Sequence, residues 1–403
     1  MSALNILEEK LAETKKQGRF REFLNLERGV QDKPWATSHG HHGERRLNVW
    51  CSNDYLAMSH HPKVLLATTE AVNRVGLGTC GARSISGTSV YHSELETLLA
   101  SAYGKESALL FTTGFGANDA TLSTLCDAIP DLIVFSDELN HASMIYGIRY
   151  SKAEKKIFRH NDVAHLAELL QAADPARPKL IAFESLYSMD GDFAPLAQIV
   201  ALAEQYQALT YLDEIHSAGV YGERGLGYAE QLGLLDKITI IQGGFGKSYG
   251  AAGGYIAAPR SVVEAVRSWA PAFVFSTSSP APVVAAALAS FKYNLEHDTQ
   301  RKHLLAIVDH LKTGLRAAGI PLVSADSHIL PLRVGDPHRN KHISKVLLDE
   351  HDIYVQPVNA PTVPAGSERL RVTPTSAHSH ADVETFLAAL GRVWAANDLR
   401  RAG

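Results

Sequence analysis

Between residues 107 and 241, five short apolar runs alternate with amphipathic stretches, and this alternation restricts the fold more than any other feature of the chain. The runs are 107–112 (SALLFT), 131–135 (DLIVF), 179–183 (KLIAF), 208–212 (ALTYL) and 238–241 (ITII). Segments of this kind read as strands buried on both faces. Between them, residues 164–172 (AHLAELLQA) and 196–206 carry the helical period, with Ile199, Leu202, Ala203 and Tyr206 on one face of the second. Strand and helix in alternation build an α/β domain around a mainly parallel, doubly wound sheet.

Residues 1–403 are too many for a single compact core, and the pattern changes on either side of the sheet region. From about residue 291 a long helical pattern (302–318) leads to short strands at 329–334 and 369–373, separated by a helix at 342–350. That order gives a smaller C-terminal α+β domain over 291–403, after a large domain over 61–290. Residues 1–60 read as an N-terminal arm that opens with a docking helix, because Leu4, Ile6, Leu7 and Leu11 recur at helical spacing among charges. This segment lacks the apolar centre of a signal peptide, and the longest apolar stretch, at 281–291, falls short of a bilayer span.

The net charge of −4 gives no broad attraction to nucleic acid or to an anionic membrane, so an anionic ligand needs a local site. Cys51, Cys80 and Cys126 lack CxxC spacing, which argues against a disulfide framework or a thiolate metal site and fits the reducing cytoplasm.

Three motifs mislead. Gly76, Gly78 and Gly81 match G-x-G-x-x-G, but the residues before them are helical in pattern, whereas a dinucleotide fingerprint follows a strand. Gly246, Lys247 and Ser248 resemble the end of a phosphate loop whose first glycine is here Ile241. His39, His41 and His42 have no further ligand cluster beside them, and no metal site is expected.

The informative residues lie at strand ends. Asp213 and His216 follow the run 208–212, at the edge where open α/β sheets bind ligands. Lys247 is the single lysine of a glycine-dense loop, 243–254, after the run 238–241. The turn 112–118 (TTGFGAN), with Gly114 and Phe115, follows one strand and opens a helix. His141 comes just after 131–135, and Ser276 and Thr277 add hydroxyls. Singly, each also fits a structural role: a capped or ion-paired Asp, a tight turn, a core histidine. Together they meet the needs of pyridoxal phosphate (PLP), which works as an electron sink when a carboxylate keeps its ring nitrogen protonated, a lysine captures its aldehyde and backbone amides hold its phosphate. Asp213, Lys247 and the Gly114–Phe115 turn supply these, and His141 would stack on the ring and donate protons.

These residues, with 51–56 (CSNDYL), 86–88 (SGT), 137–143 (DELNHAS), 184–193 (ESLYSMDGDF), 213–219 (DEIHSAG) and 369–374 (RLRVTP), resemble the α-oxoamine synthases. Those are fold-type I PLP enzymes, and the likeness is greatest to the 5-aminolevulinate synthases. The resemblance implies a homodimer that condenses glycine with succinyl-CoA for tetrapyrrole biosynthesis. It implies that Lys247 holds PLP as a Schiff base and removes the amino acid's α-proton, that Asp213 pairs with the ring nitrogen, and that His216 and Ser188 bond the ring hydroxyl. It assigns Asn53 and Arg371 to the amino acid, Arg21 and Thr362 to the succinyl carboxylate, Ser84 to the acyl tail, and Ser276 and Thr277 to the neighbouring subunit's phosphate. Ala82, Ser84, Gly244 and Ala365 depart from the synthase pattern, and the smaller pair at 82 and 84 leaves room for a bulkier acyl thioester, on CoA or a carrier protein, as the alternative donor. A catalytically silent subunit and an NAD-dependent dehydrogenase are the other classes weighed. The presence of both Lys247 and Asp213 argues against the former, and the helix before Gly76 against the latter.

Overall fold

The computed structural model describes residues 2–20, 22–40, 43–397 and 399. Arg21, expected at the succinyl carboxylate, lies outside the described residues, as do His41 and His42. The chain divides into two compact units, one of residues 54–188 with 193–301, the other of the described residues within 1–53, 189–192 and 302–403.

The larger unit is built on seven strands: β1 (Ser107–Phe111), β2 (Ile133–Asp137), β3 (Glu154–Phe158), β4 (Lys179–Glu184), β5 (Leu209–Asp213), β6 (Ile240–Gly244) and β7 (Gly254–Ala258). Their order across the sheet is β1-β7-β6-β5-β4-β2-β3, with β7 antiparallel to both neighbours and the other pairings parallel. The central strands are apolar throughout because both faces are covered. Ile133, Phe135, Ile181, Phe183, Leu212 and Ile241 enter one core, while Val134, Leu180, Ala182, Tyr211 and Ile240 enter the other. That division has the two-residue period of a strand. At about 1.5–3 kcal/mol for each large side chain taken from water, these two cores dominate the unit's stability.

Two strands escaped the sequence pattern. β3 (EKKIF) is an edge strand whose burial alternates, so charged residues interrupt its apolar face. Charge on an exposed edge also discourages pairing with other chains. β7 (GYIAA) begins inside what reads as a glycine-rich loop. The run at 238–241 corresponds to β6 displaced toward Gly244, because Leu235–Lys237 forms a short 3-10 turn first.

The register fixes the functional edge. Glu184 and Asp213, at the C-terminal ends of β4 and β5, pair side by side, and Asp213 pairs with Gln242 in the middle of β6. Gly254, which opens β7, pairs with both Gly244 and Phe111.

In the smaller unit, Leu330–Arg333, Arg369–Val372 and Gln356–Val358 form an antiparallel sheet with Arg369–Val372 in the middle. The helices Pro337–His351 and His380–Ala396 flank it, and Trp50 stacks on Phe386 in the core with ring centroids 4.4 Å apart. Within the region read as an arm, Trp35–Gly40 and Gly43–Val49 pair as antiparallel strands, and Gly43–Val49 also pairs in parallel with Ile353–Tyr354. The N-terminal helix Ala3–Lys16 is capped by Ser2, whose hydroxyl accepts from the Asn5 amide at 3.2 Å, and it buries none of its residues. No helix among the described residues is long and apolar enough to cross a membrane.

Candidate active site

Asp213 ends β5 and is 2% exposed. One carboxylate oxygen accepts from Asn118 Nδ2 at 2.8 Å, the other from the Ile215 amide at 2.8 Å. Among the described residues no lysine or arginine lies within ion-pair distance of it. A buried carboxylate without a cation is expensive. Of the two structural roles open to Asp213, the ion pair finds no partner among the described residues, while the Ile215 amide supplies the local backbone contact of a capping carboxylate.

Its neighbour Glu214 is also fully buried, but its carboxylate is used up locally. It accepts from Ser185 Oγ (2.7 Å), from Ser217 Oγ, and from the amides of Tyr228 (3.0 Å) and Ala229 (2.8 Å). Burial pushes its pKa up, and these hydrogen bonds oppose the shift.

Asn118 is the centre of a buried network. Its amide nitrogen also donates to Ser143 Oγ (2.9 Å), and its oxygen accepts from the Tyr211 hydroxyl (2.8 Å). Ser143 in turn bonds His141 Nδ1 through its hydroxyl at 2.7 Å, and its backbone amide donates to the same nitrogen at 3.2 Å. Since the amide can only donate, Nδ1 is the acceptor and the neutral ring carries its proton on Nε2. Although His141 as a residue is exposed, loss of solvent around its ring lowers the imidazole pKa, with Asp213 opposing and Lys247 reinforcing. The His141 amide donates to Glu184 Oε1 at 2.6 Å. Burial first, and then the negative charge of Asp213, raise the Glu184 pKa well above the carboxylate range.

Lys247 follows β6 in a loop closed by the Gly250 amide on the Lys247 carbonyl (2.8 Å) and the Ala251 amide on the Phe245 carbonyl (2.9 Å). Gly250 has φ +61° and lies so close to Ser59 that a methyl group there would sit 2.0 Å from the Ser59 nitrogen, so glycine is required on both counts. The half-buried Lys247 places Nζ against His216 Nε2, and the other nitrogen of that imidazole is 2.8 Å from the Tyr55 hydroxyl.

The helix Gly114–Ala128 starts directly beyond β1. Thr113 caps it by accepting from the Gly116 amide at 2.9 Å, and no acceptor among the described residues takes the amides of Gly114 and Phe115. A helix start with open amides suits a phosphate. Ser276 and Thr277 line a small cavity together with Thr112 and Gly116, and Thr277 is bridged to Ala82. Phe115 is exposed and stands edge-on to His141 at 6.4 Å. Ser188 is half-buried, and Ser84 is exposed in the kinked turn Arg83–Gly87. Gly244 is buried at the end of β6, where a methyl group would strike Ile215 at 2.6 Å.

The structure thus brings Lys247, His216, Asp213, His141 and the Gly114–Phe115 turn to one sheet edge of the larger unit. Tested against PLP, this edge fits: it offers a buried anion without a cation, an amine on the adjacent strand end, and open amides at a helix start. Sequence reasoning missed Asn118, Ser143, Glu184 and Tyr55. All four fall within segments it quoted, and Asn118, one helical turn past Gly114, could have been found from its spacing.

In the smaller unit, Arg371 Nη1 donates to Asn53 Oδ1 at 3.0 Å, and Arg371 is 7% exposed on the central strand of its sheet. Thr362 and Ala365 are exposed in the loop before that strand. Thr362 lines a groove of about 620 Å³ with Phe20, Lys341, Tyr354 and Asn359.

The family model for aminotransferase class I and II matches residues 46–390. The 5-aminolevulinate synthase of Rhodobacter capsulatus is 49% identical to this chain over 395 residues, covering 96% of it and 95% of that protein. The 5-aminolevulinate synthase of Paracoccus denitrificans is 49% identical over 401 residues, covering 98% of each. Among solved structures, SPT with PLP matches at TM-score 0.93 and 31% identity, over 99% of this chain and all of that one.

Proposed function

The chain belongs to the aminotransferase class I and II family, and from that premise we propose that it is a PLP-dependent acyltransferase joining glycine to succinyl-CoA to give 5-aminolevulinate, CO2 and CoA. A bond forms between the glycine α-carbon and the succinyl carbonyl carbon. The thioester C–S bond breaks to release CoA, and the glycine carboxyl group leaves as CO2.

The observation that carries the proposal is the buried Asp213 carboxylate, which is hydrogen-bonded by Asn118 and Ile215 and has no cation within ion-pair distance among the described residues. Bound PLP supplies a cationic ring that takes up negative charge from a carbon beside an amino group. Asp213 would hold the proton on the ring nitrogen, the amides of Gly114 and Phe115 would hold the phosphate, and Lys247 Nζ would capture the aldehyde. Lys247 then serves as base for the glycine α-proton, with His216 beside Nζ to orient it. His141, kept neutral with its proton on Nε2, is equipped to donate that proton to a developing oxyanion.

Arg371 is the cation proposed for the glycine carboxylate, and its bond to Asn53 Oδ1 fixes the guanidinium for a paired contact. Arg21 and Thr362 are proposed for the succinyl carboxylate. Homodimerisation is supported by Ile85 and Phe275, which are 72% and 84% exposed on segments that the Ala82–Thr277 bridge joins. In that dimer Ser276 and Thr277 would reach the neighbouring subunit's phosphate. The three free cysteines support a reducing, cytoplasmic setting.

The test is product analysis with glycine and a panel of acyl thioesters. Succinyl-CoA should be the preferred donor. A charge-assisted contact is worth about 1.5–3 kcal/mol, so Arg21→Leu should lower succinyl use relative to butyryl use by about ten- to a hundredfold. A neutral donor preferred by the wild type, with Arg21→Leu leaving that preference unchanged, would contradict the assignment of succinyl-CoA.

A further inference from the structure

Ile215 lies two residues past the end of β5, half-buried, between two glycines that belong to other elements. A methyl group at Gly114, where the helix Gly114–Ala128 starts, would lie 2.5 Å from Ile215 Cδ1. A methyl group at Gly244, at the end of β6, would lie 2.6 Å from the same atom and 2.9 Å from Ile215 Cγ1. Neither glycine has a positive φ, so the backbone at these positions would accept any L-residue. The space beside Gly114 and Gly244 is therefore taken by the Ile215 side chain, which must shift to admit a methyl group at either position.

The same residue also holds the carboxylate. The Ile215 amide donates to Asp213 Oδ1, while Oδ2 accepts from Asn118, which belongs to the helix beginning at Gly114. Gln242, paired with Asp213 in register, closes the arrangement by donating from Nε2 to the Gly243 carbonyl at 2.9 Å and to the Gly114 carbonyl at 3.4 Å. Asp213 is thus tied to two bodies, its own strand end and the helix start, and the Ile215 side chain is the spacer between them.

We infer that Ile215 is a positioning residue of the cofactor site, setting the distance between the carboxylate at Asp213 and the amides at Gly114; this rests on the PLP reading above. It accounts for Gly244, where a methyl group would meet both Cδ1 and Cγ1 of Ile215. A larger residue there would require the Ile215 side chain to move.

The test is a double-mutant cycle between Gly114→Ala and Ile215→Val, each read by PLP titration of the purified protein and by the pH midpoint of the bound cofactor's long-wavelength absorption. Valine lacks Cδ1, after which the nearest neighbours of the new methyl group are Gln242 Nε2 at 3.6 Å and Cγ1 of residue 215 at 3.9 Å, both ordinary contacts. Gly114→Ala alone should weaken PLP binding by about ten- to a hundredfold through overpacking, and Ile215→Val alone by less than about threefold. The double variant should return to within about threefold of Ile215→Val, with its absorption midpoint restored. A double variant as weak as Gly114→Ala, or a Gly114→Ala that binds like the wild type, overturns the inference. If Gly114→Ala does not fold, Ile215→Ala decides. It should weaken PLP and move the midpoint while the cofactor-free protein melts as the wild type does, and unchanged affinity and midpoint would overturn the inference. Failure of the wild type itself to bind PLP removes the underlying cofactor reading, and is seen before any variant is compared.

Discussion

Asp213 and Glu214 are adjacent in sequence and equally buried, yet they do different things. Glu214 is satisfied by two hydroxyls and two amides and organises the loop that returns at Tyr228, whereas the Asp213 carboxylate, at the end of its strand, accepts from Asn118 and the Ile215 amide. Removing Asp213 should take away the group that keeps the ring nitrogen protonated. Breaking a buried charge pair costs about 3–5 kcal/mol, so Asp213→Ala should weaken PLP at least a hundredfold and depress turnover further, while Asp213→Glu retains part of both. Full cofactor occupancy in Asp213→Ala, measured by absorbance after gel filtration, would return the residue to a structural role. Lys247→Ala should abolish turnover yet leave the circular dichroism spectrum unchanged, because the side chain lies in a loop and packs in neither core. Residual activity above a thousandth of wild type would contradict its role as both anchor and base. Asp213, His216 and Lys247 were legible because each follows an apolar strand run. Ser143 was not, since a polar residue inside a helix carries no pattern of its own, and for Asn118 the signal was its spacing of one helical turn from Gly114.

Elements were legible in proportion to their burial. β1, β2, β4 and β5 appear as continuous apolar runs since helices cover both faces, whereas β3 lies at the edge with its charges exposed and β7 is led by a glycine that belongs to a glycine-rich run. The paired strands Trp35–Gly40 and Gly43–Val49 hold too many polar residues to be read as strands without their partners. The helix Val90–Tyr103 shows what local sequence hides. His92 lies in its first turn, fully buried, with Nδ1 accepting from the Ser89 amide at 3.2 Å and Nε2 2.9 Å from Ser278 Oγ. Burial, with Arg83 nearby, pushes its pKa down to about 4. An ordinary histidine titrates near 6.5, so between about pH 6.5 and 4 the unfolded chain binds the proton more tightly than the folded one. Stability conferred by neutral His92 is therefore complete above that window and falls as pH drops through it, by about 3 kcal/mol in all. Urea midpoints measured across this range should fall with acidity, and His92→Gln should flatten the slope. A variant whose slope parallels the wild type would contradict the shift.

At the scale of the molecule, each unit contributes a different kind of recognition. The larger unit holds Asp213 at the end of β5, with His216, Lys247, His141 and the Gly114–Phe115 turn in segments that follow strands, and the smaller holds Arg371 on the central strand of its sheet, bonded to Asn53. Within each unit, strands whose apolar residues are locked in cores give the segments attached to them a fixed geometry. The unit holding Arg371 also draws in the described residues of 2–53, and no local pattern announces a partnership between segments so far apart in sequence. Carboxyl-labelled glycine follows the proposed condensation most directly. With PLP and succinyl-CoA present, the purified protein should release the label as CO2, in equal amounts with free CoA thiol and unlabelled 5-aminolevulinate. Label retained in the product, or thioester cleavage without labelled CO2, would contradict decarboxylative condensation.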